Sequence, residues 1–371
     1  MPRWVSKESD SIMMWLWPVV ALGFYAVASI FGAGSSFQSS PAGVVFAVAL
    51  VPVLFGAVFA AVYHSEVIAK RAGEPYGTLV LTVAVTIIEV ALITSVMAVG
   101  DGSPTLARDS VFAVVMIVCN GLVGLCIVIG GLRYREQSFR VTGAGAYLML
   151  LMALAVLTLV LPNYTYTVPG PFYSPAQLAF VSFASIVLYA AFLYIQTVRH
   201  RDYFVADIVY GETRAGEPPP TIRVAASAVF LLVSLASVIL LAKKFASVLD
   251  VALANAGAPG SIAGVLVALL VLLPEAFTAI EAARRDHLQK SINLALGSSL
   301  ATIGLTVPAV AAVSIAINRS FTLGIERKDT VLLALTFAVS LLTFATGRTN
   351  ILSGFVHLVL FATFCFFVFV P

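Results

Sequence analysis

Residues 73–98, GEPYGTLVLTVAVTIIEVALITSVMA, form an apolar run of membrane-spanning length with a single carboxylate, Glu89, near its middle. A bilayer core is crossed by roughly 20 consecutive apolar residues in a helix. The side chain of Glu89 is too short to reach either interface from there. An ionisable group at such a depth costs on the order of 3 kcal/mol even on insertion-based scales, so it persists only when paired, protonated or binding something. A second stretch of this kind runs from Ile262 to Ile280, where Pro274-Glu275 interrupts another apolar sequence. Two such acids in matching positions of two halves point to one shared site.

The whole chain carries the same signature. Of its 371 residues 60% are hydrophobic and 11% charged, with a mean hydropathy of +1.03. A soluble domain carries about 25% charged residues, so this is a polytopic all-α membrane protein. The net charge of +3 does not argue for nucleic acid, because Lys and Arg are scattered among short loops and form no basic stripe. Cys119, Cys126 and Cys365 all lie in apolar runs without a Cys-x-x-Cys or a neighbouring His, which reads as packing. The first apolar run has no small-residue cleavage site after it and is read as a retained span.

Hydropathy predicts about eleven spans, near 13–31, 43–63, 79–98, 111–130, 145–161, 176–196, 224–242, 262–280, 294–316, 330–345 and 356–370. The division that follows is a tail and leading helix over 1–42, five helices over 43–198, a cytoplasmic linker over 199–223 and five helices over 224–371. Fifteen of the 21 Lys and Arg residues fall on the side of the N-terminus, six on the other. By the positive-inside rule the N-terminus is cytoplasmic and the C-terminus external. Five is odd, so the two sets of five enter the membrane from opposite sides, the inverted-repeat plan of many secondary transporters. Glu89 and Glu275 then each lie in the second helix of their set.

Around the two acids the sequence supplies hard oxygen ligands. Thr82, Thr86 and Glu89 fall at i, i+4 and i+7 on one helix face, though an intramembrane Thr also bonds its own i−4 carbonyl. Pro274 removes a backbone donor and frees a carbonyl upstream of Glu275. Carbonyls and carboxylates suit Na⁺ or Ca²⁺ rather than soft metals. The next helix of each set is also polar: Asn120 with Gly121 and Gly124 in one, and Ser298, Ser299, Thr302 and Thr306 with Gly297 and Gly304 in the other. The glycines fit tight helix packing. Asn120 fits a ligand role and a packing role equally. His64, Glu66 and Glu74 read as solvated or as part of an access funnel, Glu281 as solvated near the cytoplasmic end, and His357 and Arg348 as gating groups or interfacial anchors.

No Walker-type loop, HExxH or deep Asp pair is present, so neither ATP-driven transport by this chain alone nor enzymatic catalysis is expected, and no cofactor beyond the transported ions. Three classes remain. An antiporter would let each carboxylate be neutralised by H⁺ or by a cation. A cation channel would use the same carboxylates as a selectivity constriction without proton coupling. A scaffold subunit would bury them only for pairing.

The runs GEPYGTLVLTVAVTIIEVALI, PEAFTAI, SINLALGSSLATIGLTVP and FATGRTNILSG, with HLVLF beyond, resemble the ChaA-type sodium/calcium:proton antiporters of the calcium/cation antiporter superfamily. The resemblance implies one leading helix plus two inverted five-helix repeats, each giving one acidic residue to the transported cation. It implies Glu89 and Glu275 as the central carboxylates, with Asn120, Ser298 and Ser299 in the neighbouring helices. It also implies exchange of Ca²⁺ or Na⁺, with K⁺ a further candidate, for H⁺ in the lipid of a bacterial inner membrane, by a monomer or homo-oligomer. Two departures stand out. Val85-Thr86 and Val271-Leu272 occupy the places where the superfamily carries Gly-Asn, and the linker is charge-balanced rather than acidic.

Overall fold

The computed structural model describes residues 8–30, 41–73, 76–98, 105–204, 219–316 and 322–370. Glu74 and linker residues 205–218 lie outside the described residues. Among the described residues, eleven helices are long and apolar enough to cross a membrane: Ile12–Ile30, Gly43–Ala72, Tyr76–Met97, Leu106–Tyr134, Val141–Tyr164, Pro175–Arg199, Thr221–Ala256, Ser261–Ala283, Leu288–Val313, Arg327–Ala345 and Ile351–Phe369. They are called the first to eleventh spans below. Only helices or closed barrels satisfy their backbone groups in lipid, and these sequences take the helical solution.

Several helices run past their apolar windows. The seventh has 36 residues, about 54 Å at 1.5 Å per residue, against a hydrocarbon core of about 30 Å. Lys243 and Lys244, expected in an outer loop after residue 242, are therefore helical. Charge ends a hydropathy window, but it does not end a hydrogen-bonded helix. Gly257 does, in a left-handed conformation with φ 59°.

The chain divides into two compact units, and the division falls inside the eighth span between Val271 and Leu272, within one turn of Pro274. The first unit holds spans one, two, three and seven with the start of the eighth. Its second and seventh spans run along each other, the third packs on both, and the first lies against the second and seventh. Small residues make this approach close: Ala57, Ala60, Ala61, Ala242 and Ala246 are fully buried. Gly73 has φ +67° and a Cβ on Gly77 would meet the Ala69 carbonyl oxygen at 2.6 Å, so both positions need glycine.

The second unit holds the remaining spans, with the fourth at its centre. Gly121, Gly124 and Gly131 let the eleventh span close on the fourth; a Cβ on Gly124 would stand 2.9 Å from His357 Cβ, and one on Gly354 2.9 Å from the Gly124 carbonyl oxygen. Two short strands, β1 (Glu136–Ser138) and β2 (Arg348–Asn350), pair antiparallel with Gln137 opposite Thr349. The stretch TGRTN is thus a helix stop, a strand and a helix start. Gly347 turns the chain at φ +70°, and Asn350 Oδ1 caps the eleventh span by accepting from Leu352 N and Ser353 N. Arg348 is an exposed strand residue. All three cysteines are free thiols, with Cys119 and Cys126 buried.

Candidate cation-binding residues

In the first unit, the third span buries Gly77, Ala84, Ile88, Glu89, Leu92, Ile93 and Met97 and exposes Leu79, Val83 and Ile87. Glu89 is 2% exposed, on the buried side of its helix rather than on the side that exposes Leu79, Val83 and Ile87. Thr82 and Thr86 are half-buried and adjoin it at the spacing read from the sequence. Thr94, one turn beyond, spends its hydroxyl on the Val90 carbonyl at 2.6 Å.

In the second unit, Glu275 is half-buried, and its Oε2 atom is enclosed by protein. Pro274 sits inside a continuous helix from Ser261 to Ala283, so the Leu270 carbonyl lacks its usual helical donor. Thr278 returns its hydroxyl to the Pro274 carbonyl at 3.0 Å, and Ser291 ties the ninth span to the eighth through the Ala279 carbonyl at 2.6 Å. Glu281, expected to be solvated, forms an ion pair with Arg285 at 2.6 Å.

The third span of each set contains a π segment that no sequence pattern announced, as do the fifth and sixth spans at Val156–Val160 and Ile195–Arg199. The fourth span widens into a π-helix over Ile117–Leu122, and the ninth does so over Thr302–Thr306. Such turns recur at functional sites, because they displace backbone groups from the regular ladder. In the ninth span, Pro308 follows two residues later and denies the Gly304 carbonyl its donor, while Tyr189 packs on Gly304 itself. Ser298 is half-buried just before this segment. Ser299 is fully buried with no hydrogen-bond partner for its hydroxyl among the described residues, and Thr302 is buried.

Asn120 lies within the other π segment, which packs against Leu288–Ala301, the part of the ninth span that carries Ser298 and Ser299. Its amide is turned toward spans ten and eleven. Nδ2 donates to Thr336 Oγ1 at 2.8 Å, and Oδ1 lies 3.2 Å from His357 Nδ1. His357 Nε2 is 3.0 Å from Thr343 Oγ1. The second N–H of the amide faces Met116 Sδ at 3.8 Å, and one lone pair of Oδ1 remains beyond these bonds. His357 is 0% exposed, which corrects its reading as an interfacial anchor: the Gly124–Gly354 approach draws it into the protein. His64 is likewise fully buried rather than solvated, since it faces the first and seventh spans. Neither histidine could be placed from sequence, as their partners lie up to 237 residues away.

The sequence profile described as "Sodium/calcium exchanger protein" matches residues 42–198 and 226–370. The chain is 44% identical over 358 residues, 96% of either chain, to the "Putative ionic transporter y4hA" of Sinorhizobium fredii (strain NBRC 101917 / NGR234). It is 36% identical over 362 residues, 95% of either chain, to the "Sodium-potassium/proton antiporter ChaA" of Escherichia coli (strain K12). Among solved structures, native YfkE superposes with a TM-score of 0.72 at 17% identity over 96% of this chain and 100% of that one. The H⁺/Ca²⁺ exchanger CAX superposes at 0.66 and 15% identity over 96% and 88%. Eleven membrane-crossing helices, an acid buried in the second helix of the first set and a profile covering both sets lead to one conclusion: the chain is an integral membrane protein of the sodium/calcium exchanger family, similar to the ChaA-type antiporters.

Proposed function

We propose that this protein is a secondary active antiporter of a bacterial inner membrane, exchanging Ca²⁺ or Na⁺, with K⁺ as a third candidate, for H⁺. Glu89 and Glu275 are the groups that take up cation or protons. Thr86, Ser298, Ser299 and Thr302 supply hydroxyl oxygens, and Asn120 contributes its remaining carbonyl capacity. The observation that carries this reading is Glu89, an acid almost fully buried on a Thr-bearing face of a membrane span in a chain of this family. A carboxylate there is neutralised either by a proton or by a metal ion, and mutual exclusion of the two supplies the coupling. If only these two acids titrate, one Ca²⁺ moves against about two protons. The N-terminus is cytoplasmic in this reading and the C-terminus external, following the excess of Lys and Arg on the N-terminal side. The family membership and the ChaA relative support antiport over a channel.

The test is reconstitution in liposomes with an internal pH dye, imposing Ca²⁺, Na⁺ and K⁺ in turn. The expected result is cation-dependent proton flux in the wild type that Glu89→Gln and Glu275→Gln each abolish. Conductance without proton coupling would overturn antiport in favour of a channel.

A further inference from the structure

The first span belongs to neither set of five, yet it is fixed to the bundle along its length. Pro18 has no N–H, so the carbonyl of Met14, four residues earlier, has no helical donor. His64 Nε2 lies 3.2 Å from that oxygen, and its Nδ1 lies 3.3 Å from Ser227 Oγ on the seventh span. One arrangement satisfies both: Nε2–H donates to the carbonyl, and Nδ1 accepts from the hydroxyl of Ser227, which leaves the imidazole neutral. Trp15 meets the ring edge to face at 4.6 Å, with Tyr63 at 5.2 Å and Phe230 at 5.6 Å. Further along, Ser237 Oγ reaches the Pro18 carbonyl at 3.3 Å, and the Trp17 indole fills the notch left by Gly56, where a Cβ would overlap it.

We propose that His64 is a proton-operated latch: neutral, it locks the first, second and seventh spans into one piece, and a proton arriving from the end of the bundle that carries Arg71 releases the first span. That end is cytoplasmic in the orientation proposed above, and the consequence for transport rests on the antiport reading. A proton at Nδ1 makes both ring nitrogens donors, so the Ser227 hydroxyl must turn round and lose its acceptor. The new charge sits among Trp15, Tyr63 and Phe230. The titratable and charged side chains on the elements around it are Tyr25 on the described part of the first span, Tyr63, Glu66, Lys70 and Arg71 on the second, Tyr76 and Glu89 on the third, and Arg223, Lys243, Lys244 and Asp250 on the seventh. Arg223, one turn before Ser227, is held by the Tyr63 hydroxyl at 2.8 Å and carries the same sign as an imidazolium. Glu66, the acid nearest His64 in its own helix, faces Lys70 at 4.0 Å.

Two measurements test the latch. Tryptophan emission of the purified protein, followed against pH, needs no transport, since Trp15 touches the ring. The wild type is expected to show an acid transition that His64→Gln lacks, because an amide can donate to the Met14 carbonyl and accept from Ser227 but takes no proton. Arg223→Gln, which removes the neighbouring like charge, is expected to move the transition to higher pH, and it serves as the deciding variant should His64→Gln not fold. In liposomes, acidifying the Arg71 side is expected to slow wild-type exchange while His64→Gln, equally active at alkaline pH, retains it to about one pH unit lower. An emission profile unchanged in either variant overturns the latch. A wild type without cation-dependent proton flux overturns the antiport reading and leaves the fluorescence result to judge the latch.

Discussion

The third and eighth spans are each the second helix of their set and each carries one central glutamate, but they mount it differently. The third contains no proline and buries Glu89 to 2% exposure within one compact unit. The eighth places Pro274 directly before a half-buried Glu275, and the boundary between the two units passes through it one turn earlier. The same acid is therefore held once on a regular helix and once beside a broken backbone ladder. For the antiport proposed above, the contrast matters because a carrier uses both a ligand that keeps its position and one whose surroundings yield during alternating access.

Five substitutions would break or sharpen this contrast. The largest effect is expected from Glu89→Gln and Glu275→Gln, each lowering cation-dependent proton flux at least about 100-fold with little change in melting temperature, since the amide is isosteric but cannot alternate between proton and cation. Loss in one variant only would make the two mounts functionally unequal. Next comes Pro274→Ala, which restores the missing bond to the Leu270 carbonyl. Turnover is expected to fall about threefold to tenfold with half-saturating cation concentration nearly unchanged, as stiffening slows a conformational step without altering ligands. Unchanged turnover would remove the flexible role from this helix.

Two smaller effects concern the scaffold. Gly124→Ala puts a methyl against His357 Cβ and the Gly354 carbonyl oxygen, and overpacking of this kind costs about 1–3 kcal/mol, visible as a lowered melting temperature in detergent. Asn350→Ala removes the cap of the eleventh span and is expected to cost about 1 kcal/mol in the same assay, with exchange by the folded fraction intact.

The spans were legible because lipid allows so few solutions: an apolar run of this length must be a helix, and a lone acid inside it stands out. Glu89 and Glu275 stand out as candidates on that ground. Helix ends were less legible, since the seventh span continues through Lys243 and Lys244 without a break in its backbone bonds. The π segments around Asn120 and Thr302 are changes of about one residue per turn in backbone bonding, which hydropathy does not register. His64 and His357 were misplaced because a single histidine has no periodicity, and its environment is decided by contacts such as Met14 O or Thr343 Oγ1 on other helices.

The pairing of β1 with β2 has a consequence for how the chain is made. Strand Glu136–Ser138 leaves the ribosome long before its partner Arg348–Asn350, and Gln137 also waits for the Ala283 carbonyl and Asp286. The fourth helix must therefore dwell in the translocation machinery's surroundings with its ribbon unpaired until nearly the last residues are synthesised. A chain ending before the eleventh helix would leave that strand edge unpaired, and unpaired edges are prone to aggregation.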